Sequence, residues 1–356
     1  KKKKKFGRNP RSSILITTRK KGIRQMAFSA SYDNPAAPGT GAAVSNREDL
    51  TNILTQLDPV STPLISLLQK TKARATSHEW TVDGLAAADG SSGLVEGADT
   101  TSFSDKFENR ARLSNVVQGF RRDYQVSQVQ EAVDGVGPAG AAAAKVKCLR
   151  ELKRDGEAAV FSANDKTVGS GSSAALMRGF NDWLDASGPS DVPTTYRTPA
   201  DQVITMSNAA VTEAKLSAAL ASMFNVSGNL SNVTLIADTQ VRDSISNFMR
   251  TASSSTSTRY SVSGTGKTVT LSVSLYESDF GSISIVNSNP DCSPDTTFHD
   301  RALAVNLDHA SFATLIPAKQ VALEDQGGGA RGYCEMWGTL ACHDPRAHAS
   351  IDEARS

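Results

Sequence analysis

Two stretches of this chain carry residue types that could do chemistry, and neither has the spacing its chemistry requires. Ser261-Val262-Ser263-Gly264-Thr265-Gly266-Lys267-Thr268 resembles a phosphate-binding loop, in which backbone amides, a lysine and a hydroxyl cradle a nucleotide. That use needs glycine where Ser261 stands, a strand before the loop and a helix after it, because the phosphate rests on the first helical amides. Here the Ser/Thr-rich run Ala252 to Thr258 comes first and Val269 to Val273 reads as strand. A Gly-rich hairpin turn is the plainer reading. The second group is Cys334, Cys342, His343 and His348. Seven residues separate the two cysteines, whereas zinc sites favour close pairs. Cys342 and His343 are neighbours in sequence with no separate orienting acid, which is not the layout of an activated thiol. Buried or edge-strand roles are expected for all four. With no carboxylate pair, catalytic triad or metal constellation in view, no enzymatic activity, cofactor or metal is expected, and a structural role gains weight.

Composition points the same way. The 356 residues suit one large domain or two to three smaller ones, with ordinary hydrophobic content and few aromatics. No run is long and apolar enough to cross a bilayer, and Ser12 to Thr18 is too short for a signal peptide. The Asn-X-Ser/Thr triplets at Asn225, Asn229 and Asn232 are therefore not expected to be glycosylated. Cys148, Cys292, Cys334 and Cys342 are dispersed, which suits reduced thiols and a cytosolic origin.

The net charge of +1 hides an asymmetry. Residues 1 to 25 contain Lys1, Lys2, Lys3, Lys4, Lys5, Arg8, Arg11, Arg19, Lys20, Lys21 and Arg24 and no acid. Of 38 basic residues these take 11, leaving 27 against 37 acidic ones, a balance of −10 for the rest. Such an arm builds no core, and nucleic acid is its usual partner through phosphate neutralisation. Met26-Ala27-Phe28-Ser29 also resembles a natural start, so a leader or upstream reading of the first 25 residues stands beside this one.

Elements follow from periodicity. Residues 29 to 45 read as an extended arm, and Asn46 as the cap of a helix bearing Leu50, Ile53, Leu54 and Leu57, stopped by Asp58-Pro59. Thr62-Pro63 restarts a helix, with Lys70, Lys72 and Arg74 near its C-terminal end to complement the dipole. From Ser77 the period becomes two, with His78, Trp80 and Val82 alternating against polar neighbours. A second strand runs from Arg110 through Val116, Val117, Phe120 and Tyr124 to Val126, giving a long hairpin around a polar tip. A hairpin alone is marginally stable, so this one should rest on something else.

Ala139 to Phe161 is an Ala-rich amphipathic helix with a thin apolar stripe of Ala142, Val146, Leu149, Leu152 and Ala159, interrupted by Gly156. Met177, Phe180, Trp183 and Leu184 suggest a short apolar helix. Thr212 caps a helix with Leu216, Ala219, Leu220 and Phe224 on one face, Val233 to Ala237 is a buried strand, and Val241, Ile245 and Phe248 mark another helix. Thr268 to Leu275, Ser282 to Val286, Ala302 to Leu307, Phe312 to Leu315 and Tyr333 to Leu340 read as strands around a Gly327-Gly328-Gly329 turn, and the tail to Ser356 as polar.

The order of these elements resembles the major capsid proteins of tailed double-stranded DNA bacteriophages, which share the Hong Kong 97-type coat fold. Thr62-Pro63-Leu64-Ile65-Ser66-Leu67-Leu68, His78-Glu79-Trp80-Thr81-Val82-Asp83-Gly84-Leu85-Ala86, Glu96-Gly97-Ala98, Glu151-Leu152-Lys153-Arg154-Asp155-Gly156-Glu157 and Asp279-Phe280-Gly281 are similar to landmarks of one family of phage head proteins. The likeness spans about residues 45 to 345 and implies an α+β fold. It divides the chain into an N-terminal arm (1–74, with 1–25 a basic extension), an extended hairpin loop (75–130), a peripheral domain with the spine helix (131–198), an axial domain with connecting strands (199–300), and return strands with a tail (301–356). It implies hexamers and pentamers of one chain forming an icosahedral head around double-stranded DNA. Scaffold, portal and decoration proteins are possible partners, no membrane is involved, and assembly is expected in the host bacterial cytoplasm. Trp80, Arg112, Phe120, Arg150 and Lys153 are the expected inter-subunit residues, and the eleven early basic residues the DNA-facing ones.

The alternatives are an encapsulin-like compartment, a P-loop nucleotide hydrolase and a Ser/Thr-rich adhesin. Removing the eleven early basic residues is expected to leave shell formation intact while altering internal DNA contact. Negative-stain microscopy of the truncated protein checks this, and failure to form shells would count against that division of labour.

Overall fold

The structure, a computed structural model, describes residues 62–133, 140–185, 187–250, 274–289, 300–324 and 327–354. The basic arm, the helix expected from Asn46, the run 252–258, the phosphate-loop look-alike and Cys292 lie outside these residues. Pro63 opens α1 (Pro63–Leu67). Thr62 makes no side-chain cap bond; instead the buried Glu157 carboxylate, 93 residues on, accepts the Leu64 amide at 2.7 Å and the Ile65 amide at 2.8 Å. Burial pushes the Glu157 carboxyl above its ordinary range, and the two amides partly oppose that.

Strand β1 (Gln69–Lys72) follows at once, so Lys70 and Lys72 lie on a sheet edge rather than at a helix end. Next come β2 (Ser77–Val82), β3 (Ala111–Val116), β4 (Gln118–Ser127), α2 (Gln128–Ala132), α3 (Ala141–Phe161) and α4 (Phe180–Trp183). The long second hairpin strand expected from the sequence is two strands. β3 pairs antiparallel with β2, Ser77 opposite Val116, whereas β4 leaves the hairpin after Val117 and pairs with the later β11 (Gly329–Cys342). Parallel β1 and antiparallel β10 (Ala310–Leu323) complete a four-stranded sheet in the order β1-β10-β11-β4.

Helix α3 lies on that sheet, but with a rotated face. Its buried residues are Ala141, Cys148, Leu152, Gly156, Glu157, Val160 and Phe161, while Ala142 is exposed and Val146 is 49% exposed. Position 146 is two residues from Cys148, roughly half a turn round the helix, so the two cannot share a face. Gly156 is where the helix comes nearest its neighbours: a Cβ there would lie 3.1 Å from both Ile65 Cδ1 of α1 and Met336 Cε of β11. The cost that glycine brings to a helix interior is set here against a packing contact. Arg122 Nε and Nη2 reach the two Asp155 oxygens at 2.6 Å each, tying β4 to α3.

The second sheet forms from β5 (Val203–Thr205), β6 (Val233–Ala237), β7 (Leu275–Ser278), β8 (Gly281–Asn287), β9 (Arg301–Asn306) and β12 (Ala349–Asp352) in the order β5-β12-β9-β6-β8-β7. α5 (Glu213–Ser227) and α6 (Thr239–Arg250) pack on one face. Thr212 caps α5, accepting the Lys215 amide at 3.4 Å, and Gly228 ends it at φ +68, a conformation glycine adopts without strain. Met223 fills the buried face of α5, and Phe224 turns outward to stack on Phe280. The sheet serves two cores, because alternate residues point opposite ways. Ala302 and Ala304 join Leu216, Leu220 and Val241, while Leu303, Val305 and Ile236 join the larger core of Leu152, Phe180, Trp183 and Phe312. The supposedly polar tail supplies β12, with Ile351 buried between β5 and β9.

The rotated stripe of α3 makes a direct prediction. Leu152→Ala should destabilise the protein by about 2–5 kcal/mol, since it opens a cavity at a fully buried site. Val146→Ala should stay within about 0.5 kcal/mol. Denaturant midpoints decide; the reverse order would restore the stripe expected from the sequence.

Candidate functional site

The feature that stands apart from both cores is the segment between β2 and β3, and its root is built with more polar contacts than a surface turn needs. Asn115 of β3, wholly buried, donates to Leu340 O at 2.7 Å and Arg178 O at 3.0 Å and accepts the Arg178 amide at 2.8 Å. Arg178 is itself 1% exposed. Its guanidinium meets Asp165, Asp182 at 2.8 Å and Asp191 at 2.7 Å, and stacks 4.7 Å from the Trp183 ring. Lys166 Nζ lies 2.5 Å from Asp191 and 2.7 Å from Ser114 Oγ. Trp80 of β2 packs on Trp183 at 5.9 Å. Further out, Arg110 binds Asp83 through Nε and Nη2 at 3.1 and 2.9 Å, Asn109 Nδ2 donates to Gly84 O at 3.3 Å, and Tyr196 Oη donates to Asn109 O.

Beyond this clamp, residues 85 to 108 form no strand or helix and expose large apolar side chains. Leu85 is 99% exposed, Leu94 85%, Val95 74%, Phe103 90% and Phe107 62%. The surrounding charge is negative: Asp89, Glu96, Asp99, Asp105 and Glu108 against Lys106. The tip expected to be polar is therefore acidic with spaced apolar anchors. An isolated Leu or Phe in a Gly/Ser/Asp-rich run was the available signal, and it carries no periodicity to amplify it.

A second surface has the opposite character. The outward side of α3 presents Ala142, Val146, Lys147, Arg150 and Lys153, all exposed. The exposed Val129 of α2 and Val133 lie near its start, where Glu131 Oε2 accepts the Ala141 amide at 3.2 Å. Arg150 and Lys153 are thus on the surface as expected, and Arg112 is too, 3.2 Å from Glu79. Phe120 is 6% exposed and Trp80 half-buried, and both pack into the chain's own larger core, so their apolar surface is largely used within the subunit. Sequence reasoning missed Asn115 and Glu157, whose partners lie 63 to 225 positions away, and Arg178, which joins Asn115 to three carboxylates 4 to 13 positions from itself.

The metal-type residues go to buried positions. Cys148 Sγ donates to Arg122 O at 3.1 Å, and Arg122 is the register partner of Cys334, whose thiol burial pushes up to about 12. Cys342 is fully buried and its thiol is likewise raised. Among the described residues no group of three or more His, Cys, Asp or Glu could hold a metal ion.

Solved structures with this arrangement are coat proteins. The cyanophage A-1(L) capsid asymmetric unit aligns with a TM-score of 0.61 at 12% identity, over 87% of this chain and 98% of that one. The capsid of a native GTA particle aligns at 0.57 and 12% identity, over 91% and 99%. The SrpI encapsulin of Synechococcus elongatus PCC 7942 aligns at 0.52 and 11%, over 88% and 94%. The fold is the HK97-like coat fold. No curated protein sequence matches the chain. The SU10 major capsid protein family matches residues 33–355, and the chain belongs to that family, whose role is structural.

Asn115→Ala should cost about 1–3 kcal/mol by leaving buried backbone groups unpaired, and should raise hydrogen exchange in β2 and β3 above that in α5. Equal protection in both regions would show that the root does not depend on Asn115.

Proposed function

We propose that copies of this chain assemble as hexamers and pentamers into an icosahedral phage head around double-stranded DNA, with the loop 85–108 of each copy lying on the outward side of α3 in a neighbour. The observation that carries this is the loop itself. Burial of each exposed Leu, Val or Phe would stabilise a contact by about 1.5–3 kcal/mol, and the subunit offers these side chains no core of its own. The clamp at Asp83, Gly84, Asn109 and Arg110 fixes where the loop leaves, which lowers the ordering cost on docking.

Charge selects the landing surface: an acidic loop with apolar anchors matches a basic helix side with exposed Val146. In this reading α3 with the four-stranded sheet is the peripheral domain, and the six-stranded sheet with α5 and α6 is the axial domain. The acidic body repels DNA and lets it slide, the basic residues of 1–25 hold it, and scaffold, portal and decoration proteins are the remaining partners, met in the bacterial cytoplasm. The role calls for no catalytic step. Likeness to the SrpI encapsulin supports a second reading as a cargo compartment shell, which a DNA-free particle enclosing protein would favour.

Arg150→Glu combined with Lys153→Glu should abolish or strongly reduce particles seen by negative-stain microscopy, and Glu96→Lys with Asp99→Lys in the same chain should restore them. A persistent monomer from the unmodified chain would sink the shell reading. Normal particles from the double reversal would sink only the landing surface.

A further inference from the structure

Four of the chain's five histidines lie close enough to influence one another's charge, in a row that runs from the β2–β3 root to the connections between the two sheets. His78 is on β2, His309 on the turn between β9 and β10, His343 directly after β11, and His348 directly before β12. Each connection between the six-stranded and the four-stranded sheet through β9–β10 and β11–β12 thus passes the cluster. Trp80 packs against two of the histidines, with ring centroids 5.8 Å from His78 and 5.9 Å from His343, and lies 5.9 Å from Trp183. The His343 amide donates to His309 O at 2.8 Å, and its Nε2 lies 3.0 Å from Ser311 Oγ. His348 is wholly buried, stacks edge-on to Phe180 at 5.5 Å, and accepts the Asn306 amide on Nδ1 at 3.1 Å.

The surrounding charges do not provide a carboxylate for each imidazolium. Asp344 lies beside His343 and is held by Arg346 at 2.9 Å through both oxygens. Asp308, next to His309, accepts from Asn232 at 2.9 Å. On the α4 side Arg178 covers Trp183 and is balanced by Asp165, Asp182 and Asp191. Opposite His78 in the β3 register stands Asn115, and Glu79 beside it pairs with Arg112.

We infer that this cluster is an acid-responsive hinge: protonation sets like charges against one another around Trp80 and loosens the β2–β3 root from the Trp183 and His343 platform, releasing the loop to change its angle. The inference goes beyond the shell reading and does not need it. Burial lowers His78 and His343 below the ordinary 6.5, with His309 and His78 adding to the effect on His343. Burial brings His348 to about 4; the charges of His309 and His343 add to it, while a hydrogen bond to the His309 backbone and the Asp344 carboxylate partly oppose it. Folded values below unfolded ones mean that the stabilising contribution is present above pH 6.5 and is lost as the pH falls from there toward 4.

The test is tryptophan emission of the purified full chain titrated from neutral pH to pH 4, for the unmodified protein, His78→Gln, and His78→Gln with His343→Gln. A reversible emission change is expected between pH 6.5 and 4, with hydrogen exchange rising in 77–82 and 111–116 before α5. In the double variant its midpoint should fall by about one pH unit or the change should vanish. Should the double variant not fold, His78→Gln, at a partly exposed site, carries the comparison with a smaller shift. Unchanged emission down to pH 4, or the same midpoint with and without the histidines, overturns the inference.

Discussion

The subunit depends on how closely α3 can lie on the four-stranded sheet. Gly156 removes the one side chain that would hold the helix away from Met336 and Ile65, and Cys148, Leu152 and Val160 then fill the interface. The same helix supplies Glu157, whose carboxylate takes the first free amides of α1. One element therefore fixes the sheet below it and the point where the preceding chain enters. Apolar burial supplies most of the energy, and the buried carboxylate supplies direction, because its two oxygens are satisfied by two successive amides at the start of α1.

That economy leaves two surfaces unused, and their properties are opposite. The segment from 85 to 108 keeps its large apolar residues in water, although the root that carries it is held by Asn115, the Arg178 cluster and stacked tryptophans. A firm base with an uncommitted end suits the proposed docking of this loop on another copy. A single exposed charged pair contributes little, whereas a contact repeated around a closed symmetric shell is multiplied by the number of copies.

Much of the architecture was legible where periodicity is strong. α3 begins within two residues of the expected start, Thr212 caps α5, and Val233 to Ala237 is buried along its whole length. What could not be read is what depends on partners far along the chain. Val146 looks as apolar as Cys148 until the sheet chooses a side. Ala349 to Asp352 is too short and too mixed to announce a strand, and becomes one only because β5 and β9 wait on either side. Asn115, Glu157 and Arg178 are ordinary surface types by composition; the bonds of Asn115 and Glu157 reach 63 to 225 positions along the chain, and Arg178, though its carboxylates lie 4 to 13 residues away, is buried by the Asn115 contact and Trp183. Within the candidate site, Arg150, Lys153 and Arg112 could be placed on the surface from helical or strand phase, but Trp80 and Phe120 could not be kept from the core by the same reasoning.

The position of β12 has a consequence for synthesis. A strand near residue 350 sits between β5 and β9, so the six-stranded sheet stays divided until that stretch has left the ribosome. Until then β5 has no neighbour, and the core under α5 and α6, to which Ala349 and Ile351 contribute, is incomplete. Pairing so distant in sequence is slow to form compared with local helix packing. The six-stranded sheet is therefore completed only when residues 349–352 become available to join β5 to β9.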